Sequence, residues 1–186
     1  MSIITKFEQA VNELARRIAD TNDNVYTIEE LSGYINRAMS ELFNSAIADI
    51  PKAFPELIKM KEIEGSSIIP LTDIAKNCYK VLSASTDGKM IRFWDNAIYH
   101  QVKANKKAFH KPTENNPAMF EINSCIEILP KAGNKVSILY AINPTTTEGK
   151  QFTCSDTEEI PFSSNWITKL VEIAETLVRK DMQEMA

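Results

Sequence analysis

Two histidines, His100 and His110, fall in one stretch that runs Tyr99-His100-Gln101-Val102-Lys103-Ala104-Asn105-Lys106-Lys107-Ala108-Phe109-His110-Lys111. A histidine acts as a general base only when a partner fixes its ring and its proton. No spacing in the chain supplies that partner, so neither is expected to be catalytic. Any two of the 25 acidic residues could converge as the carboxylate pair of a glycoside hydrolase. The adjacent acids, however, read as helix-start charge (Glu29, Glu30) and as a solvated loop (Glu158, Glu159). Cys78, Cys125 and Cys154 are odd in number, far apart and in no CxxC spacing. That argues against a disulfide framework and against a zinc site, and reduced thiols are the default expectation. The chain contains no GxxxxGK[ST], GxGxxG, HExxH or GxSxG. Five glycines leave little for a backbone phosphate cradle. No catalytic residue, metal or cofactor is expected, and the chain is read as something other than an enzyme.

The lysine-rich stretch is the one candidate for nucleic acid. Lys103, Lys106, Lys107 and Lys111 interleave with Tyr99 and Phe109, the combination a single-strand platform requires. The plainer reading is a solvated loop anchored by the two aromatics. The formal charge of −4 and the lack of arginine in the run favour that reading. A chain of this charge can surround DNA without gripping it.

The elements around these residues are easier to place. Ile4, Phe7, Val11, Leu14, Ala15 and Ile18, with Ile3 before them, recur at gaps of three and four and predict a helix with one apolar stripe. Glu13 and Arg17 form an i,i+4 pair on it, and Asp20-Thr21-Asn22-Asp23-Asn24 should end it. Thr27-Ile28-Glu29-Glu30 spells a capping box, with Val25 or Tyr26 as a staple against Leu31. The stripe of this second helix continues through Ile35, Met39, Leu42, Phe43 and Ala46. Gly33 within it is disfavoured and suggests a closely packed neighbour. Pro51 and Pro55 are expected to stop any helix.

From Glu56 the period shortens. Residues 57–63 nearly alternate, and Gly65-Ser66-Ser67 should turn them into a returning strand at 68–71, a hairpin. Residues 79–84 and 89–93 face each other across Asp87-Gly88. Residues 119–122 and 125–129 flank Asn123-Ser124, and 135–142 follow Gly133-Asn134. Short connections predict an antiparallel meander. Residues 95–102 could form a short helix, and Phe109 to Pro117 reads as loop. After Ile160-Pro161-Phe162, Ser163 or Ser164 caps a last helix. Its stripe is Trp166, Ile167, Leu170, Ile173, Ala174, Leu177 and Val178, with Glu175 and Arg179 paired.

Three helices each have an apolar face to bury. The economical solution is an α+β fold: a three-helix layer formed by both chain ends, residues 1–55 and 160–186, with an inserted antiparallel β-rich region, residues 56–150. Residues 143–159 are read as a loop or linker. At 186 residues and 44% hydrophobic content, the chain can bury a real core. Lys and Arg number 7 against 10 acids over residues 1–62, 11 against 8 over 63–150, and 3 against 7 over 151–186. The helical ends are thus acidic and the middle basic, which suits layered or head-to-tail association. MSIITKFEQAVNEL lacks a basic segment followed by an apolar one, so no signal peptide is expected. No apolar run approaches the ~20 residues needed to span a bilayer, so no membrane contact is expected.

The order of these signals carries a resemblance. Tyr26 to Ala38 reads Tyr-Thr-x-Glu-Glu-Leu-x-x-Tyr-Ile-Asn-x-Ala, and Phe54-Pro55, Ile69-Pro70-Leu71, Lys80-Val81-Leu82-Ser83 and Ile91-Arg92-Phe93-Trp94-Asp95 follow. Then come Met119-Phe120-Glu121-Ile122, Ile128-Leu129-Pro130, Ile138 to Pro144, and Ile160-Pro161 before the last helix. Over roughly residues 10–182 the chain resembles the head–tail connector (adaptor) proteins of podovirus-like tailed phages, including ring proteins of crAss-like phages. Each motif is weak alone, and their order is the signal. The resemblance implies a virion protein of the neck or tail, assembled in the host cytoplasm. It implies a ring of the chain itself, a dodecamer, docked under the portal protein, meeting other tail or ring proteins and continuing the DNA channel. It implies that the C-terminal segment reaches the portal, which makes Lys180, Met182, Gln183 and Met185 candidate contacts. The segment after the helix is short, which departs from members that use a longer arm. Two alternatives stay open: a nucleic-acid-binding module using Lys103 to Lys111, and a virion-associated cell-wall hydrolase using a carboxylate pair.

Overall fold

A computed structural model describes residues 4–19, 26–64, 66–104, 111–131 and 135–185. Its elements in chain order are α1 (Phe7–Ala19), α2 (Ile28–Ser45), α3 (Ile50–Ala53), β1 (Ile58–Glu64), β2 (Ile68–Pro70) and α4 (Leu71–Ile74). They continue with β3 (Cys78–Thr86), β4 (Lys89–Phe93), α5 (Tyr99–Ala104), β5 (Ala118–Ile122), β6 (Cys125–Leu129), β7 (Lys135–Ile142) and α6 (Ser164–Met185). The fold is α+β, with helices at both ends of a β region. The chain divides into two compact units, residues 1–57 with 143–186, and residues 58–142.

In the helical unit, Thr27 caps α2 as its sequence dictates. Its hydroxyl accepts from the Glu30 amide at 3.2 Å, and the Glu30 carboxylate accepts from the Thr27 amide at 2.7 Å. Leu31, Ile35, Met39, Leu42 and Phe43 are buried along one face of α2. Phe7, Val11, Leu14 and Ile18 of α1 are buried likewise, as are Ile167, Leu170, Ala174, Leu177 and Val178 of α6. The three helices pack on one another. Tyr34 near the start of α2 meets Asp181 near the end of α6, whereas Arg17 at the end of α1 meets Glu175. The Ile160 amide, just before α6, donates to the Thr5 carbonyl, just before α1, so α1 runs with α6.

Two local expectations are corrected. Pro51 does not stop the chain from coiling but opens the single turn α3, where its missing donor is harmless. Tyr26 sets its ring edge-on to Tyr34, centroids 5.8 Å apart; Val25 lies outside the described residues. Gly33 is exposed, and a Cβ built there meets no described atom within 4 Å. No neighbour among the described residues requires it. Gly33→Ala is accordingly expected to raise the stability of the helical unit by up to ~1 kcal/mol. A thermal melt that moves down instead of up would contradict this.

Residues 143–159 have no regular secondary structure, yet they do not hang free as a linker would. Phe152 is 2% exposed and stacks on Phe7 at 5.6 Å. Asn36 of α2 holds the same residue by its backbone: its side-chain amide donates to the Phe152 carbonyl at 2.9 Å, and its oxygen accepts from the Phe152 amide at 3.2 Å. Glu158 accepts from the Thr147 amide and hydroxyl, and the Ile160 amide donates to the Thr5 carbonyl. A polar composition reads as linker, but one aromatic anchor and satisfied backbone groups suffice to fix it.

The β unit is a curled seven-stranded sheet in the order β1-β7-β3-β4-β5-β6-β2. Two hairpins are as the turn residues require. Asp87-Gly88 joins β3 to β4 and Asn123-Ser124 joins β5 to β6, with all four residues at positive φ. The expected β1–β2 hairpin does not form. β1 pairs along its whole length with β7, and β2 pairs with β6. β2 has three residues and ends in Pro70, which has no amide to offer a ladder; Ile69 is buried opposite Ile126. The antiparallel meander is also broken. β4 and β5 are parallel at Arg92–Ala118 and Phe93–Met119, because residues 94–117 are long enough for a helical crossover containing α5. Ile138, Val136 and Tyr140 of β7, one strand in from the edge, are buried, alternating with half-buried Ser137 and Leu139.

Candidate functional site

Of the residues singled out for nucleic acid, Lys103 is engaged within the β unit. α5 lays Tyr99 and Val102 against Ala118 and Phe120 of β5, with Trp94 and Ile98 alongside. That packing delivers Tyr99 and Lys103, one helical turn apart, to Glu127 of β6. The Tyr99 hydroxyl donates to Glu127 Oε2 in a very short hydrogen bond. Lys103 Nζ donates to Glu127 Oε1 at 2.9 Å and to Tyr99 Oη at 2.7 Å, and lies 5.0 Å over the Tyr99 ring. Glu127 is 8% exposed. Burial works against its charge, but the Tyr99 hydroxyl and the Lys103 ammonium outweigh it, and its carboxyl sits below the ordinary value. Bonds to Tyr99 and then to Glu127 raise Lys103 in turn. An ammonium so engaged is a poor phosphate ligand. Lys106 and Lys107 lie outside the described residues, as does His110, and Lys111 is exposed. His100 is exposed with its ring edge-on to Tyr99 at 5.2 Å. Of the four lysines, Lys103 and Lys111 are the two among the described residues.

The candidate portal contacts lie on the last turns of α6, which continues as helix to Met185. Lys180 and Gln183 are exposed and Met182 is half-buried. Lys180 sits 3.9 Å from Glu184, a loose surface pair. Asp181, between them, accepts from Tyr34 Oη at 2.6 Å. Burial first, and the Asp181 carboxylate second, push the Tyr34 phenol well above its usual range. These turns are thereby tied to α2.

An ion network joins α1 to α6. Glu13 pairs with Arg16 and Arg17 at 3.0 Å each, Arg17 reaches Glu175 at 3.4 Å, and Glu175 binds Arg179 at 2.7 Å. The i,i+4 pairs were legible by spacing; the Arg17–Glu175 link between helices was not. A cleft of about 670 Å³ lies beside it, with Asn12, Arg16, Asn165 and Thr168 among its walls. Arg16 and then Arg17 hold the Glu13 carboxyl down at about 2, and Arg179 and then Arg17 lower Glu175. Stability from Glu13 is thus complete above its unfolded value of 4.5 and lost as pH falls toward 2. These pairs are partly solvated, so each contributes only about 0.2–1 kcal/mol. Melting temperatures of wild type and Glu13→Gln should differ at neutral pH and converge between roughly pH 4.5 and 2. Parallel profiles would contradict the network.

Cys78, Cys125 and Cys154 are free thiols, each half-buried. Burial, helped by the charge of Glu121, pushes Cys78 up to about 11, which leaves it unreactive at neutral pH. Among the described residues, no group of three or more His, Cys, Asp or Glu could hold a metal ion. No helix among them is long and apolar enough to cross a membrane.

No protein-family model matches the sequence, and a search of curated proteins finds no match.

Proposed function

We propose that the protein is a structural virion component. It forms an adaptor ring that docks on the portal, joins the capsid vertex to the tail and continues the DNA channel, in twelve copies, in the neck of the particle. The observation that carries this reading is the division of charge between the two folded units. The helical unit holds 9 Lys/Arg against 17 Asp/Glu, and the β unit holds 12 against 8. One unit is strongly acidic and the other basic, so each can face a different neighbour. The ordered sequence resemblance supports the same reading, as does a helical layer that ties both chain ends into one unit. Lys180, Met182 and Gln183, at the accessible end of α6, are the portal contact. The test is capture of the chain by tagged portal protein from the same particle. Wild type should be retained, and Met182→Asp with Lys180→Glu should be retained less. Portal that retains none of the chain, with and without the other neck proteins, would overturn the proposal.

A further inference from the structure

We propose that the outer face of β1-β7-β3-β4 is the seat for helix α2 of a second copy of this chain; the inference rests on the ring reading above and names its subunit contact. The register fixes what the face carries. Val136, Ile138 and Tyr140 are buried on the inner side, so Ser137 and Leu139 lie on the outer side. Beside Leu139 stand Met60 of β1 and Ser83 of β3. Beside Ser137 stand Glu62 and Ser85, and Ser85 in turn faces Met90 of β4. The middle, Ser83, Ser85, Ser137 and Leu139, is half-buried. Its flanks are Met60 and Met90, 73% and 72% exposed. Three strand spacings separate those flanks, about 14 Å, and a helix is about 10 Å across. Flexible methionines suit a surface that must mould to a partner.

The occupant follows from charge and from one glycine. Lys80, Arg92 and Lys135 are exposed on this same face of the basic unit, against Glu62 and Glu64 on the β1 edge. The exposed stripe of α2 in the acidic unit carries Glu29, Gly33, Arg37 and Glu41. Ile28, at the start of α2, is 57% exposed. Gly33 is disfavoured mid-helix and has no neighbour within 4 Å of a built Cβ among the described residues; an approaching sheet would require the space that it leaves. Pairing through the free edge of β1 is the poorer mode. Lys59 and Lys61 lie on the inner side of that strand, opposite buried Tyr140 and Ile138, and inward lysines blunt an edge. Sheet against helix is a heterologous contact, so successive copies add head to tail and close when the rotation permits.

Sedimentation velocity tests the contact on wild type, Met90→Asp and Gly33→Leu at about 50 and about 500 mM NaCl, which shortens the screening length severalfold. Wild type should self-associate at low salt and dissociate at high salt. Each variant should associate about tenfold more weakly, with Gly33→Leu melting no lower than wild type. Zero-length cross-linking of mixed light and heavy copies should join Lys80 of one copy to an α2 carboxylate of another. A monomer at low salt, or association untouched by both variants, overturns the contact. Capture by portal stands as a separate readout, so failure here is distinguishable from failure of the ring reading.

Discussion

Phe152→Ala is expected to lower the stability of the helical unit by about 3–5 kcal/mol. Phe152 is among the largest fully buried side chains, and it stacks on Phe7 of α1. Its backbone is clamped by Asn36 of α2 through two hydrogen bonds. Truncation leaves a cavity whose walls cannot collapse, because the same clamp holds the segment in place. A typical domain has roughly 5–15 kcal/mol in all, so the variant should melt far earlier. Urea denaturation followed by far-ultraviolet circular dichroism reads the change. A loss below about 1 kcal/mol would show that residues 143–159 do not anchor the unit.

Tyr99→Phe should cost the β unit about 2 kcal/mol, the scale of a hydrogen bond to a charged group. The substitution keeps the ring against Phe120, centroids 5.3 Å apart, and removes only the donor to Glu127. A buried carboxylate then keeps Lys103 alone. The two tryptophans separate the units: Trp94 packs edge-on to Phe120 in the β unit, and Trp166 packs on Phe54 in the helical unit. In a Trp166→Phe background, fluorescence reports the β unit by itself. Equal unfolding midpoints with and without Tyr99→Phe in that background would remove the network from the account.

The three long helices and both tight hairpins were legible because their causes are local. Thr27 and Glu30 are three residues apart, and Asp87-Gly88 and Asn123-Ser124 can take positive φ within the turn itself. Strand partners were not legible. β1 has the alternation of a strand, but nothing in Lys59-Met60-Lys61 says that β7, more than seventy residues on, is its partner rather than β2. Likewise the i,i+4 spacing of Tyr99 and Lys103 could have been noticed, while Glu127 reads as an ordinary outward acid of a strand. Its burial depends on α5 folding over β5, a tertiary event. Asn36 stood in the quoted Tyr26–Ala38 motif without a reason; its two bonds to Phe152 supply one. Gly33 reads as a sign of close packing, and the described residues provide no such neighbour.

The proposed assembly is a ring of this chain on the portal. Electron microscopy of portal rings incubated with the purified chain tests it most directly. The account predicts an added layer of density on one face of the portal, with an open central channel and the portal's own rotational symmetry. Portal rings that stay bare at saturating concentrations of the chain, with the other neck proteins supplied, would contradict it.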